Sequence, residues 1–213
     1  MSNVRIGDDM IAHDKTPPKL LKALAVIADT MHQEFAIEPW IASPDKSKQS
    51  CILCSLTVRD FLHEIGFGDA VVRPCCFYID AHRGKKQLHS LAIGHPEDRP
   101  KEEWRWIGHM ACVVPSAQTL IDTTLFQAKR EAWPELPGMA AVYYAPGVFQ
   151  TEKYHGLSGI AGMLREEGDY WCRAVWFDKP SNDWRQAGDA KDTSRRKRII
   201  ALMAERFQPW RDY

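Results

Sequence analysis

Two segments in the first third of the chain carry apolar residues at helical spacing. The first, residues 19–35, follows Pro17-Pro18, and proline is compatible with a helix only in its first turn. The second, residues 50–65, has one mostly apolar face and is followed by Gly66, the residue type that commonly terminates a helix. We therefore predict two helices, separated by a loop that is rich in proline, serine and lysine.

After residue 70 the apolar residues change to the spacing and composition of β-strands. The predicted strands are residues 70–80, 88–93, 104–114, 119–123, 140–144 and 170–177. Helical spacing returns in a short segment at 160–166 and in a closing helix at 194–207, whereas 179–190 reads as a polar loop. Two helices followed by several strands predict an α+β fold with a helix packed on an antiparallel sheet.

The length of 213 residues, with 45% apolar residues, is enough for one domain with a buried core. Residues 1–16 are polar, and we expect a flexible N-terminus there. We expect the core to span 17–150 and a C-terminal extension, residues 151–213, to pack on it as a strand and a closing helix.

Charge and hydropathy exclude several classes of protein. Lys+Arg and Asp+Glu each number 28, and this balance argues against a protein built to bind nucleic acid or an anionic membrane. The basic run at Arg195–Arg198 is more typical of a solvated helix face. No apolar run resembles a signal peptide or a membrane span, so we expect a cytoplasmic protein whose six cysteines are reduced.

Cys51 is the first candidate for chemistry. It lies in the first turn of the second predicted helix, on the face that should pack against the sheet. Backbone N–H groups are unpaired there and the helix dipole is positive, and both effects favour the reactive thiolate. Cys54 lies one turn further along and is the competing candidate, although a buried cysteine is more often a packing residue.

His109 and Asp122 supply the partners that a thiol nucleophile needs. His109 lies in one predicted strand and Asp122 in the next, with a short turn at residues 115–118 between them. A hairpin of this length can place the carboxylate beside the imidazole, where it would fix the tautomer and stabilise the charged form. A carboxylate that follows two apolar residues is also unusual without a partner.

These residues together resemble the transglutaminase-like superfamily, which has a papain-like fold and includes bacterial transglutaminase-like cysteine proteases and arylamine N-acetyltransferases. The run from Cys51 to Gly66 resembles the helix that carries the reactive cysteine. Val71-Val72-Arg73 resembles the strand that follows. The runs that begin at His109 and end at Asp122-Thr123-Thr124 resemble the histidine and aspartate strands, in the same order.

The resemblance covers about a third of the chain, residues 50–125, and implies a Cys-His-Asp catalytic triad. Transglutaminases usually have an aromatic residue where this chain has Ile52 and a tryptophan where it has Ala111. The arginine-glycine-glycine lead-in of the acetyltransferases is replaced by Lys48-Gln49-Ser50. The resemblance therefore implies the catalytic centre rather than a particular substrate.

The implied chemistry is acyl transfer through a thioester on Cys51, on a peptide, protein or small amide or ester substrate. The backbone N–H of Cys51 would donate to the oxyanion, with Gln49 or Trp40 as a second donor. Trp104 and Trp106 flank the histidine strand and would line a substrate cleft, although core packing is the commoner use of tryptophan. We favour hydrolysis over transfer, and expect neither a metal nor a cofactor.

Two other interpretations remain open. The chain could keep this fold as a binding module without activity. Alternatively, Cys51-x-x-Cys54 and Cys75-Cys76 could hold a structural zinc ion, although the second pair is adjacent and the first lies in an apolar helix rather than in a knuckle.

Overall fold

The computed structural model of the chain describes residues 3–6, 10–35, 50–83, 85–95, 106–128, 136–143, 157–160, 170–177 and 182–208. The helices within them are α1 (Pro18–Phe35), α2 (Ser50–Glu64), α3 (Gly188–Lys191) and α4 (Thr193–Phe207). The strands are β1 (Asn3–Ile6), β2 (Met10–His13), β3 (Val71–Arg83), β4 (Lys86–Ile93), β5 (His109–Val114), β6 (Thr119–Asp122), β7 (Met139–Tyr143), β8 (Leu157–Ile160) and β9 (Tyr170–Phe177). Short 3-10 turns occupy Pro115–Ala117, Leu125–Ala128 and Asp183–Gln186.

The described strands form one curled sheet in the order β1-β2-β7-β6-β5-β3-β9-β8, with β4 also paired to β3. All of these pairs are antiparallel except β2 with β7, which is parallel. The chain is therefore a mixed α and β protein with a mainly antiparallel sheet, which agrees with the predicted fold class.

The long strand β3 organises the sheet. Its Cys75 pairs with His109 of β5 and with Trp176 of β9, so these two strands lie on opposite edges of β3. Beyond Cys75, β3 pairs with β4, and Phe77 faces Ile93 there. Strands β4 and β5 therefore follow one another along the same edge, and β4 ends where β5 begins.

Gly94 lies at this junction. It has a φ of 75°, and a Cβ built on it would lie 2.2 Å from the carbonyl carbon of Gly108 and 2.4 Å from the backbone nitrogen of His109. Only glycine tolerates both the positive φ and so close a backbone. The two strands can therefore meet directly beside His109.

Apolar side chains divide between the two faces of the sheet, as the alternation of a strand requires. Helices α1, α2 and α4 cover one face, where the largest cluster includes Met10, Cys112, Ile121 and Phe61. The other face carries a second cluster, which includes Phe77, Ala111, Val113, Leu120 and Val142. Fully burying side chains of this size stabilises the fold by about 1.5–3 kcal/mol each.

Ion pairs join α4 to the other two long helices. Arg196 Nε lies 2.8 Å from Asp60 Oδ2 on α2, and Arg198 Nη2 lies 2.5 Å from Glu34 Oε1 on α1. The predicted solvated face is thus correct for Lys197, which is exposed, whereas its neighbours pair with carboxylates of α1 and α2. The basic run acts as a contact between helices.

Residues 1–16, where we expected a flexible N-terminus, include two of the described strands. Strands β1 and β2 form a hairpin, and Met10 and Ala12 are completely buried. Each strand has only four residues, too few for alternation to be recognised. Their conformation is fixed by the parallel pairing of β2 with β7, a contact distant in sequence.

The C-terminal region is built into the sheet rather than packed on its surface. Strand β9 pairs along Cys75–Ala81 of β3, and β8 pairs with β9. Residues 183–186 and 188–191 are helical turns where a polar loop was predicted. Ile160 ends β8 instead of starting a helix, and the rest of that predicted helix lies outside the described residues.

One predicted boundary also shifts. The histidine strand begins at His109, whereas residues 106–108 are not strand and 104–105 lie outside the described residues. His95, just after β4, is 8% exposed and packs edge-on against Tyr78. In the described part of the chain, no helix is both long and apolar enough to cross a membrane.

Candidate active site

Helix α2 holds Cys51 at the sheet. The helix begins at Ser50, so Cys51 lies in its first turn, where backbone N–H groups have no partner within the helix. One turn further, Ser55 Oγ donates a 2.8 Å hydrogen bond to the backbone carbonyl of Met110, the residue after His109. This bond fixes the start of α2 against the start of β5.

His109 and Asp122 meet on adjacent strands. Cys112 pairs with Ile121, and this register puts His109 and Asp122 on the same face of the β5–β6 hairpin. Nε2 of His109 lies 2.6 Å from Oδ2 of Asp122, and both side chains are completely buried. Such a short bond between buried groups is typical of a charge-assisted hydrogen bond.

The second oxygen of the Asp122 carboxylate is held by Thr124. The backbone N–H of Thr124 donates to Oδ1 at 2.7 Å, and its hydroxyl donates to the same oxygen at 3.1 Å. Both carboxylate oxygens therefore have donors, so the carboxylate cannot rotate away from His109 without losing buried hydrogen bonds.

The other nitrogen of His109, Nδ1, is buried and makes no well-formed hydrogen bond within the described part of the chain. Cys51 nevertheless acts on the same imidazole, both through hydrogen bonding and through its charge. The thiol therefore lies near the ring, at a geometry short of a full hydrogen bond. Hydrogen bonds between catalytic residues are often long in unliganded enzymes.

The pKa of His109 is far from its ordinary value of 6.5. Burial alone would lower this pKa, but the charge and hydrogen bond of Asp122, together with Cys51, outweigh burial and raise the pKa to about 10. The imidazole is therefore protonated at neutral pH. An imidazolium between a carboxylate and a thiol is the charge arrangement that supports a thiolate.

The neighbouring cysteines differ from Cys51 in their surroundings. Burial raises the pKa of Cys54 and of Cys75 well above the ordinary thiol value, and nearby Cys51 and Asp122 raise both further. Burial also raises the pKa of Cys112 to about 12. A raised pKa favours the protonated thiol, so these shifts argue against Cys54 as the nucleophile, because the thiolate is the reactive form.

Apolar residues surround Cys51, which is 4% exposed. Its cluster consists of Ile52, Leu56, Met110 and Trp184, with Val72, Trp106, Ala187 and Ala190 partly buried against it. Trp184 comes from the C-terminal region, far away in sequence. Sequence reasoning missed it, although a large apolar residue inside a polar stretch is a sign of a buried contact.

The four remaining predicted site residues fall into two groups, one residue that the structure describes and three that lie outside the described residues. Trp106 packs against the Cys51 cluster, and its ring would lie 2.4 Å from a Cβ placed on Gly108. The close fit of ring and backbone explains a glycine just before His109. The other three, Trp40, Gln49 and Trp104, lie outside the described residues.

The proposed zinc ligands do not come together. In the described ranges, no three His, Cys, Asp or Glu side chains form a group able to hold a metal ion. Cys75 and Cys76 are successive residues of β3, so their side chains point to opposite faces and belong to separate clusters. The cysteines at 51, 54, 75, 76 and 112 are all buried.

Comparison of the chain with protein-family models, with curated proteins and with solved structures finds no match. The geometry of the site is therefore the basis for assigning a function.

Proposed function

We propose that this protein is a thiol enzyme of transglutaminase-like type, with a papain-like arrangement of Cys51, His109 and Asp122, that hydrolyses or transfers acyl groups. The observation that carries the proposal is the completely buried hydrogen bond of 2.6 Å between His109 Nε2 and Asp122 Oδ2, beside a cysteine in the first turn of a helix. A buried ion pair of this kind costs desolvation energy, so a catalytic use accounts for its presence better than stability does.

In the first half of the reaction, the Cys51 thiolate attacks the carbonyl carbon of an amide or ester and a C–S bond forms. The carbonyl oxygen becomes an oxyanion. The backbone N–H of Cys51, which has no partner within the helix, would donate to it. His109 then gives a proton to the leaving nitrogen or oxygen, the bond to that atom breaks, and a thioester remains on Cys51.

In the second half, water attacks the thioester and His109 takes its proton. The C–S bond breaks, the acid product leaves, and Cys51 returns as thiolate with His109 as imidazolium. Because Nε2 is bound to Asp122, Nδ1 is the nitrogen that exchanges protons with substrate and water. Asp122 keeps this orientation and stabilises the charged ring in both halves.

We favour water over an amine as acceptor, because no group in the described site is arranged to bind an amine. The substrate class is a peptide, a protein or a small amide or ester. The competing proposal is a binding module with the same fold and no activity, for which the near-complete burial of Cys51 is the supporting observation.

The test is the rate at which iodoacetamide alkylates single cysteines, followed by peptide mass spectrometry from pH 5 to 9. We expect Cys51 to react at least tenfold faster than free cysteine at pH 6, and His109→Ala to abolish the difference. Cys54→Ala is the matched control, since it removes the neighbouring thiol and should leave the rate unchanged. Alkylation of Cys51 no faster than free cysteine over the whole range would favour the binding module.

A further inference from the structure

Cys51 shares an apolar cluster with a tryptophan from the C-terminal region of the chain. Cys51 is 4% exposed and Trp184, in the same apolar cluster, is 7% exposed. A nucleophile must touch the carbonyl carbon it attacks, so the space around the thiol decides which acyl groups can reach it. That space is filled by the residues of this cluster.

The segment that carries Trp184 has few constraints of its own. Its backbone hydrogen bonds are local turns, from Arg185 N–H to Asn182 carbonyl at 3.0 Å and from Ala187 N–H to Trp184 carbonyl at 3.1 Å. The residues on either side of Trp184 are exposed. The indole, with Ala187 and Ala190, belongs to the apolar cluster that this region shares with the nucleophile helix.

The buried side of the indole has apolar neighbours. They are aliphatic side chains, a methionine, the Cys51 thiol and a second tryptophan, whereas the Arg185 guanidinium lies 5.3 Å from the centre of the ring on the exposed side. A tryptophan buries about 150–250 Å² of surface, so its removal would leave room for a chain of several methylene groups. Such a space favours uncharged, apolar acyl groups.

We propose that Trp184 determines acyl-group specificity, restricting Cys51 to small uncharged acyl groups by filling the apolar space beside the thiol. This inference rests on the proposed function and names the substrate class of that site. Shortening residue 184 should open the space to longer apolar acyl chains. The rate at which Cys51 reacts with the shortest acyl group should be unchanged.

The experiment compares the rates at which p-nitrophenyl acetate, butyrate and hexanoate acylate Cys51, measured as burst kinetics and confirmed by the mass of the acyl-enzyme. For the wild type we expect the rate to fall with chain length. Trp184→Ala should raise the hexanoate-to-acetate ratio at least tenfold, and Trp184→Phe should give an intermediate ratio. Cys51→Ala supplies the background.

Arg185→Ala is the matched control. The Arg185 guanidinium lies 5.3 Å from the centre of the Trp184 ring, on an exposed side chain, so its removal leaves the indole in place and should leave the ratio unchanged. Circular dichroism and thermal unfolding identify any variant that fails to fold. If Trp184→Ala fails to fold, Trp184→Phe still tests the ratio, because it retains most of the packing.

Two outcomes separate the inference from the proposed function. Acetate acylating Cys51 in the wild type, with a ratio unchanged in both folded Trp184 variants, would overturn the specificity role and leave the thiol enzyme standing. No acylation of Cys51 by any ester in any folded variant would overturn the thiol enzyme, and the specificity role with it.

Discussion

Thr124 donates both its backbone N–H and its hydroxyl to the Asp122 oxygen that does not contact His109, at 2.7 and 3.1 Å. The residue two positions after the carboxylate thus fixes the direction in which the other oxygen points. Thr124 is therefore the residue that positions Asp122 for His109.

The hydroxyl of Thr124 can be removed with little change in shape. Thr124→Val keeps the backbone donor and loses the hydroxyl donor, so Asp122 should be held less firmly. A hydrogen bond to a charged group is worth about 1.5–3 kcal/mol, and we expect about a tenfold loss in the rate of Cys51 acylation. Thr124→Ser retains the hydroxyl, so its rate of Cys51 acylation should be close to that of the wild type. Equal rates in both variants would contradict a positioning role.

Asp122 should control the protonation of His109. The pKa of His109 is raised to about 10, against burial, chiefly by Asp122. Asp122→Asn removes the charge, so burial should dominate and the pKa should fall to its ordinary value or below. Proton-carbon NMR of the His109 ring in the wild type and in Asp122→Asn measures this pKa directly.

The raised pKa of His109 also makes the stability of the protein depend on pH, and the direction of the shift gives the sign of that dependence. A histidine whose folded pKa lies above its unfolded value of 6.5 contributes its full stabilisation below pH 6.5 and loses it as the pH rises towards 10. The free energy of unfolding of the wild type, relative to Asp122→Asn, should therefore decrease across that range. A difference that stays constant with pH would contradict a raised pKa in the folded protein.

Much of the local structure was predictable because it depends on neighbours in sequence. The helix from Ser50 ends beside Gly66 because an apolar face and a terminating glycine coincide there. The hairpin of β5 and β6 follows from two apolar runs separated by a short turn. Their proximity is what brings Asp122 within 2.6 Å of His109, although the catalytic role of the pair stays a prediction.

What the sequence could not reveal depends on contacts between distant residues. Strand β2 is a strand because it pairs with β7, about 130 residues away by numbering, from Met10 to Met139. Trp184 reaches Cys51 across a similar separation. The spacing of apolar residues does not reveal such contacts. Each of these segments has only about four residues in a regular conformation, and that conformation depends on the partner segment.

Gly94 should be essential for the junction between β4 and β5. An alanine there would need a positive φ of 75° and a Cβ 2.4 Å from the His109 nitrogen. Backbone strain alone costs about 1–3 kcal/mol, so Gly94→Ala should lower the free energy of unfolding by at least that much and displace His109. Urea denaturation measures the first effect, and slower alkylation of Cys51 reports the second.

Gly68 is the matched control for this substitution. A Cβ at Gly68 has no atom within 4 Å, and its φ is not in the positive region. Gly68→Ala should change stability by less than about 0.5 kcal/mol, as is usual for an exposed site. If both alanine variants were equally stable, the close approach at Gly94 would not be a constraint on the fold.

His13 should make the protein less stable in mild acid. It is 1% exposed, and its Nε2 lies 2.9 Å from the hydroxyl of Thr119, which itself donates to the carbonyl of Ala117 at 2.8 Å. Since that hydroxyl has already used its proton, His13 must donate from Nε2. Its Nδ1 is then a buried acceptor without a partner among the described residues.

Protonation of His13 would place a charge on that buried nitrogen. Burial lowers its pKa, with Lys15 acting in the same direction and Asp14 opposing. A lowered folded pKa gives stability that is complete above the unfolded value of 6.5 and is lost as the pH falls below it. The loss should approach but not exceed about 1.4 kcal/mol per pH unit for one proton.

His13→Gln is the variant that isolates this titration, because the glutamine amide can donate to Thr119 from nearly the same position and does not ionise. Urea denaturation at pH 7 and pH 5 should show a smaller loss of stability for this variant than for the wild type. The variant should be close to the wild type at pH 7, where His13 is neutral. A wild type that loses no more stability than the variant between these pH values would show that His13 titrates normally despite its burial.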